Sequence, residues 1–177
     1  VPAQSRAMIR YRLLETPFGA AAIAGSERGL ARVYLPMQSP AQLRRAVLSD
    51  YRHAHEDPTL LESLVRELTR YFAGQPVRFR EKFDWPGATP FQARIWNACF
   101  TIPYGRTLSY AELGAKAGSP GAARAVGLAM GRNRCPIVVP CHRVLRSDGT
   151  IGGYSGPGGV DFKQRLLDLE CSGAAVR

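Results

Sequence analysis

Lysine is scarce in this chain: only Lys82, Lys116 and Lys163 contribute to its 24 basic residues, and all the others are arginine. Long hydrophobic runs are missing. The most apolar stretch, around residues 136–139, is far short of the roughly 20 residues a membrane-spanning helix needs. This excludes a membrane protein. Residues 1–7 hold no hydrophobic signal core, so secretion is not expected and a cytoplasmic setting is. Met8 would be a natural start. Cysteines are few: Cys99, Cys135, Cys141 and Cys171, spaced by 36, 6 and 30 residues with no CxxC pair. The three histidines, His53, His55 and His142, fall outside zinc-finger spacing. A disulfide framework is not expected in 177 residues without an export signal, which leaves free thiols in a reducing compartment.

What is present is an ordinary folding composition, 45% hydrophobic and 21% charged, which argues against disorder. The formal net charge is +10. Divided at Trp85, the first part carries 13 basic and 9 acidic residues and the second 11 and 5. An arginine-rich excess favours a polyanionic partner, because guanidinium makes bidentate phosphate contacts. A basic surface that merely aids solubility has the same composition.

The first part reads as short strands followed by helices. Ile9, Tyr11 and Leu13 alternate with Arg10 and Arg12, as in a half-buried strand. Residues 18–24 and 30–35 flank a Gly-Ser-Glu-Arg-Gly hairpin loop at 25–29. Ser39, Pro40 and Gln42 form a capping box that opens a helix, and Asp57-Pro58 repeats the device. Leu60, Leu64, Leu68 and Phe72 then follow at four-residue spacing until Gly74. His53 and His55 read as solvated residues in a charged helix end. No catalytic spacing occurs in this part.

Residues 83–88 (FDWPGA) read as a linker, and the chain beyond them turns helical. Thr89 and Gln92 form a capping box leading into Phe91, Ile95 and Cys99 on one stripe, which makes Cys99 a small core residue. Ser109 and Glu112 open a short helix that ends at Gly118, and Ser119-Pro120 starts the next. Two short helices joined by a tight glycine turn suggest a helix-turn-helix, although adjacent helices often only pack together. The second helix is built from small residues, among them Gly121, Ala122, Ala123, Ala125, Gly127 and Ala129, with Arg124 as its one long cation. It has little to hydrogen-bond base edges in a major groove. Close approach to a nucleic-acid backbone, with Arg124 intruding, suits it better.

Cys141 stands between an apolar run and His142-Arg143, a setting that favours a reactive thiolate. Side chains of adjacent residues diverge, so His142 would take the thiol proton through a bridging water, with Glu170 as a candidate to orient it. A buried cysteine beside a surface histidine fits the residue types equally.

Residues 140–144 (PCHRV) match the active-site motif of the O6-alkylguanine-DNA alkyltransferases, and the chain resembles that family across its second half. The likeness takes in Pro103-Tyr104-Gly105, Ser109-Tyr110, residues 122–127 (AARAVG), Asn133, residues 152–156 (GGYSG) and residues 166–170 (LLDLE). The first half resembles the family only in length and strand-then-helix order.

The resemblance implies an α+β protein. Residues 8–85 would form a small antiparallel-sheet-plus-helix, RNase H-like domain, and residues 86–177 a helical domain with a helix-turn-helix. Cys141 would accept the alkyl group from guanine O6, with His142 as its base through water and Glu170 holding His142. Tyr110 would donate to the base and, near a phosphate, help to rotate the nucleotide out. Arg124 would fill the gap in the stack, with Ala123 and Gly127 against the minor groove. Asn133 would brace the active-site turn, and Tyr154 and Ser155 would line the pocket, the Ser155 hydroxyl near the departing O6. Val144 and the backbone of Val144 and Cys141 would recognise the guanine edge and fix its orientation. Residues 156–159 (GPGG) make a longer connection than the family usually has, which bears on the pocket rim and its size limits.

The expected partner is double-stranded DNA carrying O6-alkylguanine, with O4-alkylthymine as a further candidate lesion, bound by a monomer. An alkyl group inside a stacked duplex is out of reach, so the base must be flipped out. The thioether formed at Cys141 has no second nucleophile to remove it. A single-turnover protein without metal or organic cofactor follows. The alternative is a non-catalytic, alkyltransferase-like damage sensor. Such proteins replace the nucleophile, whereas position 141 here is cysteine. A major-groove transcription factor and a cysteine hydrolase are more distant rivals.

Overall fold

The computed structural model describes residues 8–36 and 39–174. Three strands open the chain: β1 (Arg10–Thr16), β2 (Gly19–Ser26) and β3 (Gly29–Tyr34). They form an antiparallel meander, and a two-residue strand β4 (His55–Glu56) adds to β1 in parallel, giving the order β3-β2-β1-β4. The sheet is therefore antiparallel with one short parallel edge. Its central strand β2 is covered on both faces, as its alternation dictates. Ala20, Ala22 and Ala24 face α1 (Pro40–Asp50) with Leu43 and Val47, while Ala21 and Ile23 face the main core. Alanine at the first set lets α1 lie close to the sheet.

The capping box at Ser39 forms as its spacing predicts, each partner bonding the other's backbone. The one at Asp57 does not open a helix. Its carboxylate accepts from the Thr59 amide and hydroxyl and pairs with Arg10 at 2.7 Å, so it closes a turn instead. Leu61 is left-handed (φ 49°), and α2 starts only at Glu62, running to Phe72. Leu60, Leu64, Leu68 and Phe72 are all buried, as the stripe predicts. His53 and His55 lie past the end of α1 rather than in it, both exposed, and His55 pairs with Arg10 in β4.

Residues 83–88 are anchored. Phe83 bridges to Leu30 of β3, stacks on Trp85 at 4.4 Å and meets Phe100 edge-on, while Trp85 meets Trp96 edge-on at 5.0 Å. One apolar core passes beneath this segment, from Leu14, Ile23 and Leu68 to Ile95, Trp96, Val126 and Phe162.

Beyond it, α3 (Pro90–Phe100) begins at the Thr89 capping box and buries Ile95, Trp96 and Cys99. Strand β5 (Leu108–Ser109) runs into α4 (Tyr110–Lys116), capped reciprocally by Ser109 and Glu112. Gly118 (φ 71°) and Gly121 (φ 77°) turn the chain, and α5 starts at Ala123 and ends at Gly131. Ser119-Pro120 thus lies in the turn, because left-handed Gly121 interrupts any earlier helix. Trp96 Nε1 donates to Ala129 O at 2.9 Å, tying α5 to α3. A single 3₁₀ turn, Cys141–Arg143, leads into β6 (Val144–Leu145), and α6 (Gly159–Ala174) closes the fold. Among the described residues no helix is long and apolar enough to cross a membrane.

Candidate active site

Residues 133–145 carry the reactive segment. Asn133 brackets it: its Oδ1 accepts from the Cys135 amide at 3.0 Å and its Nδ2 donates to Val139 O at 2.8 Å. Within that bracket Ile137 is left-handed at φ 72°, a conformation that costs a β-branched residue on the order of 1–3 kcal/mol. The chain then enters the 3₁₀ turn at Cys141. Strand β6 pairs in parallel with β5, Leu108 opposite Val144, and so sets the start of α4 beside the turn. This pairing is why Tyr110 and Cys141 line the same cleft, although 31 positions separate them.

Cys141 lies at the floor of an open cleft of about 1330 Å³ that Tyr110, Gly127, Asn133, Gly152, Tyr154 and Ser155 also line. Gly152 is needed there, since a Cβ at that position would lie 2.7 Å from the Tyr110 hydroxyl oxygen. Burial pushes the Cys141 thiol above its usual range, opposed by the Asn133 amide, the Lys163 charge and the Tyr154 hydroxyl. That hydroxyl is itself buried without an oxygen or nitrogen partner and faces the thiol. Burial raises the Tyr110 hydroxyl as well, with the nearby Cys141 adding to the effect.

His142 is fully buried on the far side of the turn. Its Nε2 lies 2.6 Å from Glu170 Oε1, while its Nδ1 is buried with no hydrogen-bond partner. The carboxylate opposite Nε2 fixes the neutral ring with hydrogen on Nε2 and a lone pair on Nδ1, the arrangement a base needs. Burial lowers the His142 pKa, and Glu170 partly restores it.

Glu170 anchors the whole arrangement. Arg143 grips both its oxygens, Nε to Oε2 at 2.9 Å and Nη2 to Oε1 at 2.9 Å, and also donates to Ile102 O. The Gly105 amide donates to Oε2 at 3.0 Å and the Tyr71 hydroxyl to Oε1 at 2.8 Å. Burial alone would raise this carboxyl, but its bonds to His142 and Arg143 prevail and hold it at about 2.

Of the expected residues, Tyr110, Gly127, Asn133, Cys141, Tyr154 and Ser155 line one cleft and His142 pairs with Glu170, while two are placed differently in detail. Val144 is fully buried and does not line the cleft, and its carbonyl accepts from Lys163 Nζ at 2.6 Å. The Ser155 hydroxyl donates to Gly131 O at 2.8 Å and so ties the pocket rim to α5. Arg124 and Ala123 are on α5 beside the cleft, Arg124 exposed. Cys99 and Cys135 are buried, and burial drives the Cys135 thiol up to about 12, which leaves it inert.

Three residues at the site carried no assigned role in the sequence: Tyr71, Arg143 and Lys163. Lys163 had one available signal, as one of three lysines in an arginine-rich chain, and it is 1% exposed. Among the described residues no three His, Cys, Asp or Glu side chains converge on a metal position.

Two family models divide the chain. Residues 9–85 match the ribonuclease-like domain of 6-O-methylguanine DNA methyltransferase, and residues 90–172 match its DNA binding domain. The methylated-DNA–protein-cysteine methyltransferase of Mycobacterium tuberculosis is 42% identical over 167 residues, covering 94% of this chain and 95% of the relative. The constitutive enzyme of that name from Bacillus subtilis is 38% identical over 160 residues, covering 90% and 94%. The crystal structure of M. tuberculosis O6-methylguanine methyltransferase superposes with a TM-score of 0.76 at 41% identity, covering 93% of this chain and 94% of that one. Its complex with DNA gives 0.77 at 41% identity, covering 92% and 93%. This chain, with its sheet, its helical part and its Cys-His-Glu arrangement, belongs to the methylated-DNA–protein-cysteine methyltransferase family.

Proposed function

We propose that this protein repairs DNA by moving an alkyl group from guanine O6 to its own Cys141, once per molecule. The observation that carries the reading is the buried His142, next in sequence to Cys141, with its Nε2 held by Glu170 and its Nδ1 left without a hydrogen-bond partner. A solvent molecule between thiol and Nδ1 passes the proton to His142, and Glu170 stabilises the imidazolium that results. The Cys141 sulfur attacks the alkyl carbon, the carbon–O6 bond breaks, and its electron pair passes to the guanine. Tyr110, at the cleft edge, donates the proton that lets guanine leave neutral. The thioether at Cys141 ends the reaction.

The bound form is duplex DNA with the damaged nucleotide extruded through the minor groove into the cleft. Arg124 takes the vacated place in the stack, while Ala123 and Gly127 allow close approach. Unstacking costs a few kcal/mol, less where pairing is already damaged. Residues 8–85 act as a buttress, and residues 86–177 as the DNA-binding and transfer part. A damage sensor without chemistry would share the cleft, but a thiol at position 141, followed by a His142 paired with Glu170, favours transfer.

The test is Cys141→Ser. Transfer from duplex carrying O6-methylguanine should vanish while duplex affinity stays within about threefold. Undiminished transfer in this variant would overturn the reading.

A further inference from the structure

Leu128 is 68% exposed, more than any other large apolar side chain among the described residues. It sits on α5, and its surroundings give that exposure meaning. Positions 124, 127, 128 and 131 share one face of the helix, at spacings of three, four and seven. Gly127 and Gly131 on that face line the cleft that holds Cys141. Arg124 precedes Leu128 by one turn, about 6 Å along the helix axis. Both side chains are exposed on the helix that borders the reactive cleft, and Arg124 makes no side-chain hydrogen bond or ion pair among the described residues. The glycines between and after them let a bulky partner come close. Val126, Ala129 and Met130 form the buried side of α5.

We infer that Leu128 is an apolar wedge for the DNA duplex, packing against the deoxyribose walls and adjacent base step of the groove into which Arg124 reaches. The inference rests on the DNA-repair reading above and adds to it a contact of a different physical kind. The occupant follows from continuity and charge. The patch adjoins the cleft that must receive the base, lies within the matched DNA-binding domain, and belongs to a chain of net charge +10. Groove walls are built from sugar carbons, so a leucine there removes apolar surface from water on both sides. Architectural proteins use such side chains to prop unstacked steps open. Arg124 supplies charge, whose effect falls with salt; Leu128 supplies burial, whose effect releases no counterions.

The experiment measures the full chain's dissociation constant for a duplex containing one O6-methylguanine, at four salt concentrations, for the native protein, Leu128→Ala and Arg124→Ala. Circular dichroism first shows that each variant is folded, as an exposed position should allow. Leu128→Ala should weaken binding about tenfold, which is about 1.4 kcal/mol, by the same factor at every salt concentration. The slope of log K against log salt should stay as in the native chain. Arg124→Ala should reduce that slope by about one. Native affinity in Leu128→Ala overturns the wedge alone and leaves the repair reading standing, and so does a loss that shrinks as salt rises. Failure of the native chain to bind the duplex overturns both.

Discussion

The hydroxyl of Tyr71, at the end of α2, donates to Glu170 Oε1 in α6 at 2.8 Å, across 99 positions of sequence. The same hydroxyl oxygen lies 3.2 Å from His142 Nε2. The strand-and-helix part of the chain therefore reaches directly into the His142–Glu170 pair. This part meets the rest of the chain through a polar contact as well as apolar packing.

Tyr71→Phe tests that contact, since it keeps the ring and removes only the hydroxyl. A hydrogen bond to a buried charged group is worth about 1.5–3 kcal/mol, and Arg143 and Gly105 remain to hold Glu170. The variant should lose about 1–2 kcal/mol in denaturant unfolding and react more slowly with free O6-methylguanine base. Native stability together with a native rate would show that the contact is incidental.

Acid should undo the same cluster. Glu170 titrates near 2 in the fold against a usual 4.5, so its stabilisation is present above about 4.5 and is lost as pH falls through 2. The shift corresponds to about 3 kcal/mol. His142, whose pKa is lowered by burial, adds a loss of the same sign that begins below 6.5. Unfolding measured from pH 7 to pH 2.5 should show stability declining through this range. Glu170→Gln should be less stable at neutral pH, because Arg143 loses its counter-charge, and should lack the steep limb below 4.5. A native chain equally stable at pH 5 and pH 2.5 would contradict the assignment.

Much of this was legible in sequence wherever the cause was local. The capping boxes at Ser39, Thr89 and Ser109 form as their spacing predicts. Asp57-Pro58 and Ser119-Pro120 have the same composition and close turns instead. There the helix start is set by the left-handed Leu61 and Gly121, and no neighbouring residue type announces it for leucine. Cys141, His142 and Glu170 could be named together because the motif at 140–144 and the residues at 166–170 resemble a known family. Tyr71 and Lys163 could not, since each acquires its role from a contact formed only on folding. Lys163 meets Val144 O across a separation of 19 positions, and Tyr71 meets Glu170 across 99. Arg143 stood within the motif, but its grip on Glu170 depends on where α6 docks.

Arg124 should matter to the flipped state and much less to the chemistry. Arg124→Ala should slow transfer from duplex DNA by about 100-fold or more, with a far smaller effect on reaction with free O6-methylguanine, which needs no extrusion. Single-turnover rates on the two substrates measure the difference. Equal losses on both would show that Arg124 has no part in extrusion.

The central claim is that Cys141 itself becomes the alkyl acceptor. Intact and peptide mass spectrometry after mixing the chain with excess duplex containing O6-methylguanine tests it most directly. One methyl group should be gained per molecule, carried on the peptide that contains Cys141. A chain that binds the damaged duplex yet keeps its original mass would contradict it, and would make this protein a sensor of the lesion rather than its repairer.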